Sequence, residues 1–132
     1  MATLALHRAK SIYGWMSDAE LEFLAQIALN SNVIFEIGCF QGRTTRVLGD
    51  NVRGYVCAID PWGVDNYGAN ESSILYETNQ DVFNMFYCNV HDLIKAGKVK
   101  IFRTKWEDCY PDVKADVIFI DGDHRYDTVI AD

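Results

Sequence analysis

The sequence predicts an α/β domain built on a parallel sheet. Two observations carry this: short apolar, β-branched runs recur along the chain, and helical patterns alternate with them. The 132 residues suffice for one domain. Apolar residues make up 49%, ample for a core, and no run approaches the ~18 apolar residues of a membrane span. Nothing resembles a signal peptide, so a cytoplasmic protein is the default expectation.

Residues 1–16 form an arm or a short amphipathic helix carrying Leu4, Ile12, Tyr13 and Trp15. The domain is expected over 17–132. Ser17 and Glu20 stand in the S-x-x-E relation of a capping box, and Leu21, Leu24 and Ala28 follow at helical spacing. Asn30, Ser31 and Asn32 end that helix. Val33–Ile37 reads as a strand buried on both faces. Gly38 to Gly42 make a loop, and Thr44–Leu48 a helix stopping near Gly49-Asp50-Asn51. Gly54–Asp60 is a second buried strand, cut off by Pro61. Residues 61–72 are a long loop, and 73–96 one long helix or two short ones. Val99–Phe102 and Asp116–Asp121 are the third and fourth strands, and residues 125–132 open a further helix.

In such sheets ligands bind beyond the carboxyl ends of the strands. The residues there are Glu36, Asp60, Arg103–Thr104 and Asp121. A carboxylate ending a buried strand is costly unless something uses it. Gly38 permits the tight turn, and Gly42 lets the following helix, or a ligand, approach the backbone. A dinucleotide site would place glycines at 40 and 43, where this chain has Phe40 and Arg43. Asp60 lies 22 positions after Gly38, near the ~20-residue offset at which an acid meets ribose hydroxyls. The constellation points to an adenosine-containing ligand other than a dinucleotide.

The formal charge of −7 and scattered basic residues disfavour a nucleic-acid partner. Lys98, Lys100, Arg103 and Lys105 read as a solvated face near an edge strand. Cys39, Cys57, Cys88 and Cys109 lack zinc spacing and read as buried free thiols.

These residues carry a family resemblance. EIGCFQGRTT at 36–45 resembles the first motif of class I S-adenosylmethionine-dependent methyltransferases, and VCAIDPW at 56–62 their second. IFIDGDHRY at 118–126 and GWMSDAELEFLAQIA at 14–28 resemble segments of a small-molecule subfamily that includes macrolide sugar O-methyltransferases. The resemblance implies a Rossmann-like sheet of order 3-2-1-4. It implies a chain lacking the family's C-terminal strands, with strand four an open edge that self-association would cover. It places Glu36, Gly38 and Gly42 along the methionine moiety of S-adenosylmethionine, Asp60 on the ribose hydroxyls, and Pro61–Trp62 beside the adenosine. Thr104 and Trp106 fall where the family contacts adenine. Asp121 would lie beneath the transferring methyl and, as in metal-dependent relatives, help hold Mg2+. His124 is placed to take the proton of a small-molecule hydroxyl. A non-catalytic cofactor-binding or self-assembling module is the competing reading, and a reductase a third, which Phe40 and Arg43 oppose.

Overall fold

The computed structural model describes residues 3–62, 73–109 and 111–121, with 73–80 described by backbone alone. The elements are α1 (His7–Lys10), α2 (Asp18–Leu29), β1 (Val33–Ile37), α3 (Arg43–Asn51), β2 (Tyr55–Ile59), α4 (Ser73–Lys95), β3 (Val99–Phe102), a 3-10 turn (Trp106–Asp108) and β4 (Val117–Ile120). The four strands are parallel, in the order β3-β2-β1-β4. This is the predicted fold: a Rossmann-like α/β sheet in the order implied by the resemblance.

β1 and β2 occupy the centre, which is why both read as continuous apolar runs. On one face Ile34, Val56, Ala58 and Val99 pack beneath α2, α3 and α4, through Leu24, Leu48, Phe86 and Val90 among others. Burying each large aliphatic side chain stabilises by about 1.5–3 kcal/mol. On the other face Phe35, Ile37, Cys57, Ile59 and Cys109 cluster with Phe102 and Trp106. No α-helix residue among those described belongs to this second cluster.

β4 shows the consequence of its edge position. Val117 and Phe119 pack on the first cluster, while Ile118 and Ile120 stay 50% and 45% exposed. An edge strand with a buried-type apolar run is therefore covered on one face among the described residues.

The capping box at α2 forms as predicted. Ser17 Oγ accepts the Glu20 backbone N–H, and Glu20 Oε1 accepts that of Ser17, both at 3.2 Å. α3 ends at Asn51, within its expected stop. Gly49 is a contact point as well: a Cβ there would lie 2.7 Å from Leu93 Cδ1. Residues 73–95 form one helix, closed by a Schellman turn at Gly97. There Lys98 N–H bonds Leu93 O at 2.9 Å and Gly97 N–H bonds Ile94 O at 3.1 Å.

Two arginines tie the helical layer together. Arg46 of α3 is buried, donating to both carboxylate oxygens of Asp50 at 2.9 Å and to Asp92 of α4 at 2.5 and 2.9 Å. Arg43, at the first position of α3, donates to the carbonyls of Ala9, Lys10, Ile12 and Met16 at 2.8–3.1 Å. The N-terminal arm is thereby fastened across the sheet's C-terminal end.

Candidate functional site

Three carboxylates gather where β1, β2 and β4 end. Glu36 lies within β1, paired in register with Ala58 and Phe119 on the neighbouring strands. Its side chain is fully buried. Oε1 accepts the Thr45 hydroxyl of α3 at 2.5 Å, and Oε2 has no partner. Desolvation pushes its pKa up to about 8, against hydrogen bonds from Thr45 and Cys39, with Asp121 and Asp60 adding repulsion. At neutral pH this acid is protonated.

Asp60, just past β2, organises the glycine loop. Its Oδ2 accepts the backbone N–H groups of Cys39 at 2.8 Å and Phe40 at 3.3 Å, and its Oδ1 that of Trp62 at 2.7 Å. Burial raises its pKa, and these donors with nearby Arg103 oppose the rise. Three of roughly four acceptor positions of the carboxylate are thus filled.

The loop itself is tightly wound. Gly38, Phe40 and Gly42 have φ of 88°, 49° and 98°. For Phe40 this left-handed backbone is strained. Asp60 holds its N–H, and Trp62 Nε1–H donates to its carbonyl at 2.9 Å. Trp62 also has positive φ, 42°. Its ring is buried against Phe83 and Phe86, with centroids 5.1 and 4.6 Å away. Trp62 therefore contributes backbone, rather than an open ring face, to the surroundings of Asp60.

Gly42 stands close to a helix other than the one that follows it. A Cβ there would meet Phe86 and Val90 of α4 at 3.2 and 3.3 Å, so the glycine admits a helix. Gly38 lines a cavity of about 400 Å3, with Cys39, Phe40 and Asp121 beside it and Tyr13 and Trp15 of the arm above. It opens between the ends of β1 and β4, where the strand order reverses, as expected for this class of sheet. Asp121 is exposed, and its N–H donates to Ile37 O at 2.8 Å, continuing the β1–β4 pairing.

Pro61 and Thr104 are partly exposed where β2 and β3 end, and Trp106 packs against Phe35 at 6.2 Å on the sheet's other face. None of these three is among the residues lining the cavity. His124 and Asp123 lie outside the described residues. Among the described residues no group of three His, Cys, Asp or Glu side chains is spaced to hold a metal. The expected basic run is only partly solvated: the Arg103 guanidinium stacks 4.1 Å over Phe83 and donates to Trp62 O at 3.3 Å. The cysteines are free, with Cys39, Cys57 and Cys109 buried as expected and Cys88 exposed.

Sequence reasoning missed Arg43 and Thr45. Arg43 counted only as a bulky residue that a pyrophosphate would not tolerate, because its partners are carbonyls some 30 residues away in sequence. The signal for Thr45 was present: nine positions separate it from Glu36, a strand–loop–helix spacing that brings the first turn of a helix back over the strand.

Comparison with known proteins adds the following. The family model described as a methyltransferase domain matches residues 35–132. No curated protein matches the sequence at a significant level. Among solved structures, the chain is similar to the O-methyltransferase TomG of Streptomyces achromogenes, involved in tomaymycin synthesis and solved with S-adenosylmethionine. That match has a TM-score of 0.59 at 16% identity, over 82% of this chain and 45% of that one. It is also similar to an O-methyltransferase of Bacillus cereus solved with S-adenosylhomocysteine (TM-score 0.55, 22% identity, 81% and 46% covered). A third is an O-methyltransferase of Klebsiella pneumoniae (0.59, 18%, 89% and 49%). The chain spans less than half the length of each of these three, and at these identities the likeness is one of fold.

Proposed function

The chain belongs to the methyltransferase-domain family, and from that membership we propose that it moves a methyl group from S-adenosylmethionine to a hydroxyl of a small molecule. The observation that carries the reading is the acid cluster under the glycine loop. Glu36 keeps an unpartnered buried oxygen there, with Asp60 and Asp121 close enough to perturb it. Asp60 and Asp121 repel the two phosphates of a dinucleotide, and the Glu36 carboxyl, neutral in the empty site, would ionise against the ammonium of a ligand that carries an ammonium and a sulfonium. TomG and the Bacillus cereus enzyme, solved with S-adenosylmethionine and its demethylated product, support the same ligand.

In this reading S-adenosylmethionine supplies an electrophilic methyl, and the chain supplies alignment for an in-line displacement. Gly38 gives the methionine moiety room against the loop, and Glu36, losing its proton as the cofactor arrives, offers Oε2 to its ammonium. Gly42 acts at one remove, by letting α4 fix the loop's path. Asp60 has one acceptor position left for a ribose hydroxyl. Pro61 and the Trp62 backbone flank the adenosine, and Thr104 and Trp106 lie toward the adenine. Asp121 sits beneath the reacting methyl, and His124 receives the acceptor's proton. For a divalent cation such as Mg2+, which takes about six oxygens, no group of three His, Cys, Asp or Glu side chains among the described residues is spaced to hold it.

The acceptor is read as a small molecule, since a net charge of −7 opposes a phosphate backbone. No helix among the described residues is long and apolar enough to cross a membrane. The free thiols suit a reducing compartment, the cytoplasm. A second reading, a cofactor-binding module that self-assembles, is favoured by the half-exposed Ile118 and Ile120 and the apolar groove of about 640 Å3 between β4 and α2.

Isothermal titration with S-adenosylmethionine and S-adenosylhomocysteine tests the proposal. Saturable binding of both, weakened by Asp60→Ala, is expected. No heat at millimolar ligand would overturn it. Binding without methyl transfer, from a concentration-dependent oligomer, would favour the second reading.

A further inference from the structure

The arm places three large rings at one mouth. Tyr13 and Trp15 are 64% and 77% exposed, and with Phe40 they rim the same cavity that Gly38 and Asp121 line. The ring centroids of Trp15 and Phe40 are 4.7 Å apart at 32°, and Tyr13 lies 6.1 Å from each. Exposed aromatics are costly in water, and clustered ones mark binding surfaces. These three do not close on one another, since Trp15 keeps most of its surface open. Nor are they a loose tail. Arg43 pins the flanking backbone through four carbonyls, its aliphatic stem fills the space beside Gly14, and Phe40 is locked in its left-handed conformation by Asp60 and Trp62. The cavity's volume of about 400 Å3 is that of a small-molecule site.

We propose that Tyr13, Trp15 and Phe40 form the acceptor subsite, and that it takes a planar aromatic alcohol whose ring stacks on them with its hydroxyl toward Gly38 and Asp121. This deepens the methyltransferase reading and rests on it. The rings supply flat apolar faces and few hydrogen bonds, so they distinguish a planar ring from a puckered one. Two carboxylates line the cavity, Glu20 and Asp121; Glu20 is engaged in the capping box with Ser17, so selectivity toward the hydroxyl comes from Asp121. Arg43 is a positioning residue: its guanidinium is committed to the arm's carbonyls and to Asp18 at 3.6 Å.

The test uses 1-naphthol as probe and cyclohexanol as its saturated counterpart, followed by the emission of Trp15. Trp62, which is buried, and Trp106, which is half-buried, emit in both the parent and Trp15→Ala, so the difference between the two proteins isolates Trp15. Saturable quenching by 1-naphthol and none by cyclohexanol is expected. Because Trp15 and Tyr13 are exposed, Trp15→Ala and Tyr13→Ala keep the fold. By calorimetry, each should weaken 1-naphthol about five- to tenfold, the scale of one aromatic stack. S-adenosylhomocysteine binding should be unchanged in both variants. Equal 1-naphthol affinity in the parent and Trp15→Ala overturns the subsite, as does equal binding of cyclohexanol. A concentration-dependent dimer that Trp15→Ala abolishes also overturns it, because the rings then serve a second copy of the chain. Failure of the parent to bind S-adenosylhomocysteine while the 1-naphthol results hold overturns the methyltransferase reading and leaves an aromatic-binding site.

Discussion

Replacing Glu36 with Gln should change how stability depends on pH more than it changes stability at any acidic pH. The carboxyl is fully buried, its Oε2 has no partner, and its pKa in the folded chain is about 8 against an ordinary value of 4.5. The folded state therefore keeps a proton that the unfolded chain gives up. Below the unfolded value both states are protonated and the group has no effect. Between 4.5 and about 8 the unfolded state gains by ionising, so the folded state weakens by about 1.4 kcal/mol per pH unit. At pH ~7 the loss is on the order of 3 kcal/mol, and above the folded value it levels off. Gln retains an Oε1 to accept the Thr45 hydroxyl and cannot ionise, so Glu36→Gln should lack this slope. Urea denaturation of both proteins from about pH 5 to about pH 9 measures it. The curves should lie close together at the acidic end, with the variant several kcal/mol more stable at the alkaline end. Parallel curves would refute the reasoning and mean that Glu36 is ionised in the fold.

Arg46→Ala removes a buried guanidinium that joins α3 to α4 through Asp50 and Asp92. A loss of about 3 kcal/mol in chemical denaturation is expected, the scale for breaking a buried pair. In the parent, Arg46 holds the Asp92 carboxyl well below the usual range. That contribution is present at neutral pH and fades as pH falls through the carboxylate region, so Arg46→Ala should also flatten the acid limb of the stability curve. Gly54→Ala should cost about 2–4 kcal/mol, because its Cβ would sit 2.1 Å from the backbone oxygen of Asn32; an unchanged thermal midpoint would contradict this contact. Arg43→Ala frees four carbonyls of the arm. Hydrogen exchange should rise sharply over residues 3–16 while β1 and β2 stay protected, and Arg43→Lys should rescue only part, since an ammonium lacks the guanidinium's fork.

The sheet was legible because its strands obey a local rule. VIFEI and YVCAI are buried on both faces, and burial on both faces leaves an unbroken apolar run. β4 breaks the rule: its apolar run is as continuous, yet Ile118 and Ile120 are half exposed. Residue type records what a strand can bury, and the number of layers covering it is settled by distant segments. Gly49 has a second use that is hidden for the same kind of reason. Its local signal is a helix stop, while its use is contact with Leu93 and Val99, some 44 and 50 positions away. The acids at the strand ends were legible from spacing. The arm's position was not, since nothing local in residues 3–16 marks their carbonyls as partners of Arg43.

The Asp60 clamp changes how that legible spacing should be understood. The offset between Gly38 and Asp60 is what an acid needs to reach ribose hydroxyls, and also what it needs to cap the N–H groups of Cys39 and Phe40. One carboxylate can do both, because the backbone donors leave an acceptor position open. The order of events matters. A loop with Phe40 at φ 49° costs about 1–3 kcal/mol of local strain, and here Asp60 and Trp62 offset that cost through bonds made within the chain. A ligand then meets a loop already shaped, and its binding energy is not spent on winding it. Asp60→Asn separates the two roles. An amide still accepts through its oxygen but turns an NH2 toward one of the backbone donors, so the loop should loosen even without ligand. If Asp60 served the ribose alone, the unliganded protein would be unchanged in hydrogen exchange at Cys39 and Phe40. With the clamp, exchange at both should rise before any cofactor is added.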